Sequence, residues 1–287
     1  MNGVRTWTML WVVMANTFIN GLIGGGSPLS DIDFFDTIGG AAPVIEDSFD
    51  KETSSAFELG FKSSLLDDRL KLAGSAYLTN VDDLQFFEFF VGSFGLLRVV
   101  SNVDEVQIKG FELGAELDHT DNFNVYSAFN LTDGEIEENA SRPDTVGNEV
   151  PYAPDITFNL GGDLTLPVHE DFDFVLRGDL QYIGDTYFHT VQEGDRATFF
   201  TTLFEAGFGA GAGGLGATNL ANATRDGFTT IDLRAGLKAD NWSLDVFADN
   251  ITNTDILEEV IPAPEFGGAF SAPGRQRRFG VEVGYKF

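Results

Sequence analysis

Arg278-Phe279-Gly280-Val281-Glu282-Val283-Gly284-Tyr285-Lys286-Phe287 closes the chain, and its reading decides the fold. Phe279, Val281, Val283, Tyr285 and Phe287 are apolar, and Gly280, Glu282, Gly284 and Lys286 alternate with them. Strict period-two alternation makes a strand with one greasy face and one polar or small face. The strand runs to the chain terminus. A terminal strand is usually an edge, and a soluble protein would blunt it with charge, proline or a bulge. Nothing blunts this one. A closed barrel removes the difficulty, because its last strand pairs with its first. The competing reading at this point is an ordinary sandwich strand.

Composition narrows the choice. The chain has 287 residues, 17 Lys+Arg and 45 Asp+Glu, for a formal net charge of -28. That balance excludes a general nucleic-acid binder, since phosphate contacts need a basic face. It also argues against docking on anionic lipid through a basic surface. Phe (28 residues) and Gly (33) suit strands with a lipid-facing side and a crowded inner side. The absence of Cys rules out disulfide scaffolds and thiolate metal sites. Mean hydropathy near zero is foreign to a helical membrane protein but fits a transmembrane barrel, half of whose strand residues face a polar interior.

Thr6 to Ile23 follows Arg5 and has two readings, a signal-like segment or a strand. Asn16 and Asn20 interrupt its apolar run, and Gly24 to Pro28 is no clear cleavage site, which favours a strand. Gly24 to Lys51 reads as a long loop. Alternation then resumes. Strands are expected at Thr53–Leu66, Leu70 to about Phe90, Val99–Asp118, Phe123 to about Ile136, Ile156–Leu166, Phe172–His189, Phe228–Lys238, Trp242 to about Asn253, and the closing stretch. Val106 and Ile108 fall out of phase with Phe111 and Leu113, which predicts a bulge near Lys109-Gly110. Short turns at Leu66–Arg69, His119–Asn122, Pro167–Asp171 and Ala239–Asn241 alternate with long loops at Glu137–Tyr152, Val191–Asp226 and Thr254–Pro273. Packed soluble domains rarely carry several such loops. Bacterial outer-membrane barrels do, with short periplasmic turns and long extracellular loops. The fold class is therefore all-β, an antiparallel transmembrane β-barrel of about nine to ten strands.

By these residues the chain resembles the carboxy-terminal part of the TonB-dependent outer-membrane receptors. Phe57-Glu58-Leu59-Gly60-Phe61-Lys62 resembles the family's Y-E-L-G-x-K strand, and Arg69-Leu70-Lys71-Leu72 follows its turn. Asn102 with Lys109-Gly110-Phe111-Glu112 resembles the x-G-x-E strand. Pro151-Tyr152-Ala153-Pro154 is similar to P-x-A-P, and Asn250-Ile251-Thr252-Asn253 to N-L-T-N. Pro273-Gly274-Arg275 through Gly280, then Tyr285-Lys286-Phe287, resembles the closing strand. The motifs run in order over 53–287, which is taken as a barrel segment, with 1–52 an ill-matched first strand and long loop. The resemblance implies an outer-membrane receptor for energy-coupled uptake of a siderophore-like or other scarce solute. It implies as partners outer-membrane lipid, the barrel-assembly machinery that reads a final strand ending in Phe, a plug domain, TonB-type energy coupling and a siderophore-like ligand. Neither plug nor energy-coupling box is found in this sequence. The chain is thus expected to be the last part of a 22-stranded barrel, unable as an open sheet to sit in a membrane. The alternative is a self-contained small outer-membrane barrel acting as a passive pore or rim hydrolase.

Candidate sites follow. Phe279, Val281, Val283, Tyr285 and Phe287 form the expected membrane-assembly strand. Phe199, Phe200, Phe204 and Phe208, on the longest loop, are candidate ligand-contacting aromatics. Glu58, Glu112, Glu116, Asp163, Asp179, Asp232 and Asp245, with Lys62, Arg177, Arg234 and Lys238, are expected on the inner face, either guiding solute or salt-bridged across strands. His119, His169 and His189 are too scattered for a metal site. His189, near Asp185 and Asp226, is read as a surface histidine because no nucleophile motif accompanies it. Gly211 to Gly216 spells G-x-G-x-x-G without the strand and helix that a phosphate-cradling loop needs. No catalytic residue, cofactor or metal is expected.

Overall fold

The computed structural model describes residues 49–92, 95–197, 209, 217–219, 223–263 and 268–287. Thr6 to Ile23 lies outside them. The strands are β1 (Thr53–Leu65), β2 (Leu70–Gly92), β3 (Gly95–Thr120), β4 (Phe123–Glu138), β5 (Ile156–Pro167), β6 (Phe172–Ile183), β7 (Thr186–Tyr187), β8 (Asp195–Ala197), β9 (Ala217–Asn219), β10 (Thr224–Arg225), β11 (Phe228–Ala239), β12 (Trp242–Asp249), β13 (Leu257–Ala263), β14 (Gly268–Pro273) and β15 (Arg278–Tyr285). Nine of them form one sheet, in the order β1-β2-β3-β4-β5-β6-β11-β12-β15. Every neighbour in it is antiparallel. The other six make three small pairs, β7 with β10, β8 with β9 and β13 with β14, at the loop end.

The register sorts side chains into two faces. One outer row runs Phe61, Gly74, Leu113, Phe129, Phe158, Tyr182 from β1 to β6. The next runs Ser63, Leu72, Ala115, Ser127, Leu160, Leu180, Ile231. Leu59 is 72% exposed and Val283 73%, so this apolar face is left uncovered by the described residues. Soluble proteins rarely expose so continuous an apolar surface, and hydrocarbon is the solvent that suits it. Glu58, Glu112, Glu116, Asp163, Asp179, Asp232 and Asp245, with Lys62, Arg177, Arg234 and Lys238, fall on the opposite face, as their phase requires.

The expected bulge at Lys109-Gly110 is absent. Register is continuous there, and β3 and β4 shift instead between Glu105 and Val106 and between Asp118 and Thr120. What changes at Lys109 is the polarity of the faces. Above Phe111 the outer positions become Lys109, Asp133, Gln107 and Glu135, and Lys109 pairs with Asp133 at 3.0 Å. The inner positions become apolar: Val81, Val106 and Ile136 are buried, joined by Phe86, Val103 and Val150 in the protein's core cluster. The strands leave the apolar band here and carry on as protein in water, with their greasy side turned inward. From Gly110 to Leu117 the band spans eight residues of β3, roughly 20 Å of height at ~3.3 Å per residue and a tilt of ~40°.

The Phe86–Phe90 stretch belongs to strand β2, as expected, and Phe86 is a core residue. Other boundaries differ from the sequence reading. β6 stops at Ile183 rather than reaching His189, because Gly184 and Asp185 leave the ladder. β12 stops at Asp249, and Asn250 and Asn253 take positive φ (47° and 54°) in the turn that follows. The loops expected at Val191–Asp226 and Thr254–Pro273 contain the small strand pairs.

On the inner face, aromatic rings lie over glycines of the next strand. Tyr126 pairs with Gly161, Tyr77 with Gly110 and Phe247 with Gly280. A Cβ on Gly161 would enter the Tyr126 ring, whereas one on Gly114 would meet only the Ala73 carbonyl at 3.9 Å. Gly161→Val should therefore cost about 1–3 kcal/mol of overpacking in urea unfolding of the lipid-inserted protein, and Gly114→Val much less. In the same assay Leu113→Arg, in the middle of the apolar band, should cost about 2–4 kcal/mol, and Glu112→Gln, its inward neighbour, next to nothing.

Candidate functional site

The inner wall carries the charge. Asp179 accepts from Arg177 Nε at 2.8 Å and from the Tyr126 hydroxyl at 2.5 Å. Asp163 approaches the same guanidinium at 3.8 Å, and the guanidinium lies 5.4 Å from the Tyr126 ring centre. This cluster joins β4, β5 and β6. A second joins β11, β12 and β15: Arg234 pairs with Glu282 at 3.1 Å, Arg278 pairs with Asp249, and both guanidinium groups lie 5.5 Å from the Phe247 ring centre. Lys71 and Glu116 pair at 3.1 Å. These pairs are half-exposed, so each contributes roughly 0–1 kcal/mol. Glu58, Glu112 and Asp245 have no ion-pair partner among the described residues, and Asp232 instead accepts from the Asn250 backbone N–H at 2.7 Å. The cross-strand salt-bridge reading holds for part of the wall, and the rest is left as open carboxylate.

Above the wall the loops form a packed platform. The 139–155 loop folds back on the top of β4: Ile136 N–H donates to Asn148 O at 2.9 Å and Val150 N–H to Gly134 O at 3.1 Å. A short 3-10 turn, Pro143–Thr145, buries Thr145, whose hydroxyl accepts from Asn139 Nδ2 at 2.9 Å. The 184–192 segment lies against this loop. Gln192 bonds both backbone groups of Glu149, at 3.0 and 2.6 Å, and Asn148 Nδ2 donates to Thr190 O at 2.8 Å. Burial pushes the Glu149 carboxyl above its ordinary range, helped by nearby Asp155 and Asp185. Sequence reading missed this platform, because its bonds join residues about forty positions apart that share no period.

His189 belongs to the platform and is half-buried there rather than an open surface histidine. Its Nδ1 accepts from the Val191 N–H at 3.0 Å, and its ring meets Phe86 edge-on at 5.9 Å. Asp185, the carboxylate expected near it, accepts from the Gly227 N–H at 2.6 Å. His119 meets Phe123 at 6.1 Å and His169 stacks on Phe172 at 4.9 Å, both at the turn end. Phe279, Val281, Val283 and Tyr285 lie on the outer face of β15, and Phe287 follows the strand with its ring 5.1 Å from Tyr285. Phe199, Phe200, Phe204 and Phe208, and the Gly211–Gly216 stretch, lie outside the described residues.

Enclosure of the His189 ring lowers its pKa from 6.5 to about 4, with the Arg142 charge adding to the effect. Above about pH 6.5 the imidazole is neutral whether the platform is closed or open, and contributes no pH dependence. Below that the open state binds the proton first, so closure should weaken as pH falls and level off near pH 4, by about 3 kcal/mol at most. Hydrogen exchange at 186–192, corrected for the intrinsic rate, should show this loss, and His189→Asn should flatten it.

The chain's likeness to known proteins agrees with this architecture. A profile described as TonB dependent receptor-like, beta-barrel matches residues 16–251. Among solved structures, the ferric yersiniabactin uptake receptor FyuA from Yersinia pestis superposes with a TM-score of 0.62 at 16% identity, over 82% of this chain and 30% of that one. The copper transporter OprC gives 0.55 at 18% identity over 84% and 32%, and the siderophore receptor PiuA from Acinetobacter baumannii 0.54 at 18% over 82% and 28%. The chain thus spans about a third or less of these receptors' length. At such identities the superpositions speak for the fold alone. The family is one of bacterial outer-membrane transporters, not enzymes, and it places the turns in the periplasm and the loop platform outside the cell. With most of its length matched by the family profile, the chain belongs to the TonB-dependent receptor β-barrel family.

Proposed function

We propose that this chain is part of a receptor that takes up a siderophore-like or other scarce solute across the outer membrane with energy from TonB-type coupling. The observation that carries the reading is the packed extracellular platform set above a charged, largely polar wall. A passive pore needs a wall and an opening, but a receptor also needs a preorganised surface where cargo waits. Residues 53–287 would serve as the carboxy-terminal barrel segment, completed by a plug domain. The longest loop, with Phe199, Phe200, Phe204 and Phe208, would lie where cargo arrives. β15, with its exposed aromatic face and Phe287, would be the strand that the assembly machinery reads. Lipid would cover the outer rows.

FyuA is a ferric yersiniabactin uptake receptor and OprC a copper transporter, which supports a metal chelate as first choice of cargo. The test is iron uptake in cells with and without the gene, using ferric catecholate, hydroxamate and carboxylate complexes. Gene-dependent uptake should saturate with concentration for at least one complex and cease when the proton-motive force is collapsed. Uptake that grows linearly and survives that collapse would mean a passive pore. Uptake that is independent of the gene would end the receptor reading.

A further inference from the structure

Arg225 stands apart from the arginines of the inner wall. Arg177, Arg234 and Arg278 each hold a carboxylate. Arg225, in β10 at the extracellular mouth, holds none among the described residues. Its Nη2 donates to Thr186 Oγ1 at 2.8 Å and its Nη1 to the Leu257 carbonyl at 3.1 Å, both neutral acceptors. Its Nε is buried and has no acceptor among the described residues. The guanidinium carbon lies 4.9 Å from the Phe228 ring centre and 5.5 Å from that of Phe188. In a chain with 45 carboxylate side chains, a partly buried cation without a counter-ion is not explained by scarcity. Burial lowers its pKa, and no neighbouring carboxylate offsets that effect. Such an arrangement is costly unless the charge finds a partner.

Beside Arg225 is a cavity of about 600 Å³, whose lining includes Asp226, Phe228, Thr252, Thr254 and Asp255. The geometry points to Arg225 as the docking cation for a carboxylate of the cargo, presented into this cavity by a metal chelate. This rests on the uptake reading and names the chemical class of the cargo. Two phenyl rings hold the guanidinium and strip it of water, so an arriving carboxylate meets a partly dehydrated fork suited to bidentate pairing. Thr186 can release its side, because its hydroxyl already donates to the Gly184 carbonyl at 3.2 Å. The net charge of -28 does not forbid this. At physiological salt, charges beyond about 8 Å are largely screened. Asp226 and Asp255 share the cavity and set the limit: the cargo offers a carboxylate but little net negative charge, with its metal ion offsetting the wall.

Affinity is measured in outer membranes that contain the protein, with iron(III) citrate as the carboxylate chelate and a ferric trihydroxamate complex as the probe without carboxylate. Arg225→Gln should weaken citrate-complex binding at least tenfold and leave trihydroxamate binding within twofold. Asp226→Asn should tighten citrate-complex binding severalfold. Equal losses for both probes on Arg225→Gln would make the residue a brace of the loops and overturn the proposal, as would no loss for either. If Arg225→Gln does not reach the folded, heat-modifiable state, Asp226→Asn decides, and an unchanged affinity overturns it. Wild-type binding of the trihydroxamate alone would remove the docking role and leave the uptake reading standing. Binding of neither probe would also overturn the docking role, and the uptake assay would then decide the receptor reading by itself.

Discussion

A peptide group in hydrocarbon has no water to bond, so every strand that crosses the band must hand its N–H and C=O groups to another strand. That requirement organises the chain. It explains the ladders that run unbroken across the apolar band from β1 to β15 and the short turns that return the chain at once on the periplasmic side. The small strand pairs appear only at the loop end, where water is again available. It also has a consequence for closure. Nine antiparallel strands leave β1 and β15 pointing the same way, and neither free edge has a partner among the described residues. An antiparallel barrel built on this sheet takes an odd number of further strands between those edges. Two such sheets joined head to tail would need parallel seams.

The second constraint is that one strand passes through two solvents. β2, β3 and β4 do not change conformation at Lys109 and Asp133, yet the meaning of their alternation reverses there. Within the band, lipid takes the apolar side chains and the polar ones turn inward. Above it, water takes Gln107, Lys109 and Glu135, and the inward side becomes the place to bury Val81, Val106 and Ile136. The inner face of the protruding strands is therefore the foundation on which the 139–155 and 184–192 loops fold. The receptor-like platform is a by-product of strands that outrun the membrane.

This reversal explains what the sequence disclosed and what it withheld. The strand phases, the sides taken by Glu112, Arg177 and Asp245, and the nine-stranded count all followed from period two. The out-of-phase Val106 and Ile108 carried a true signal, but a change of solvent and a bulge leave the same mark on a one-dimensional pattern. β6 ran on to His189 in the sequence reading because Thr186 and Tyr187 are good strand residues; only their pairing with β10 shows that they have left the sheet. Enclosure of His189 and isolation of Arg225 depend on contacts with Phe86, Phe188, Phe228 and Leu257, set by tertiary packing with no spacing to read.

The wall and the platform differ in how firmly they are held, and this bears on where movement can occur. The wall's ion pairs are half-exposed and individually weak, so Arg177 or Arg234 can exchange partners at little cost. The platform rests on buried groups such as Asn139, Thr145 and Gln192, whose hydrogen bonds are expensive to break without replacement. A surface that can rearrange therefore lies beneath one that does not. Where the two meet, at the mouth, Arg225 is held by neutral acceptors and ring faces instead of by a carboxylate. That is a weaker hold on a full charge than the carboxylates give Arg177, Arg234 and Arg278, and an anion that replaced one of the neutral acceptors would strengthen it.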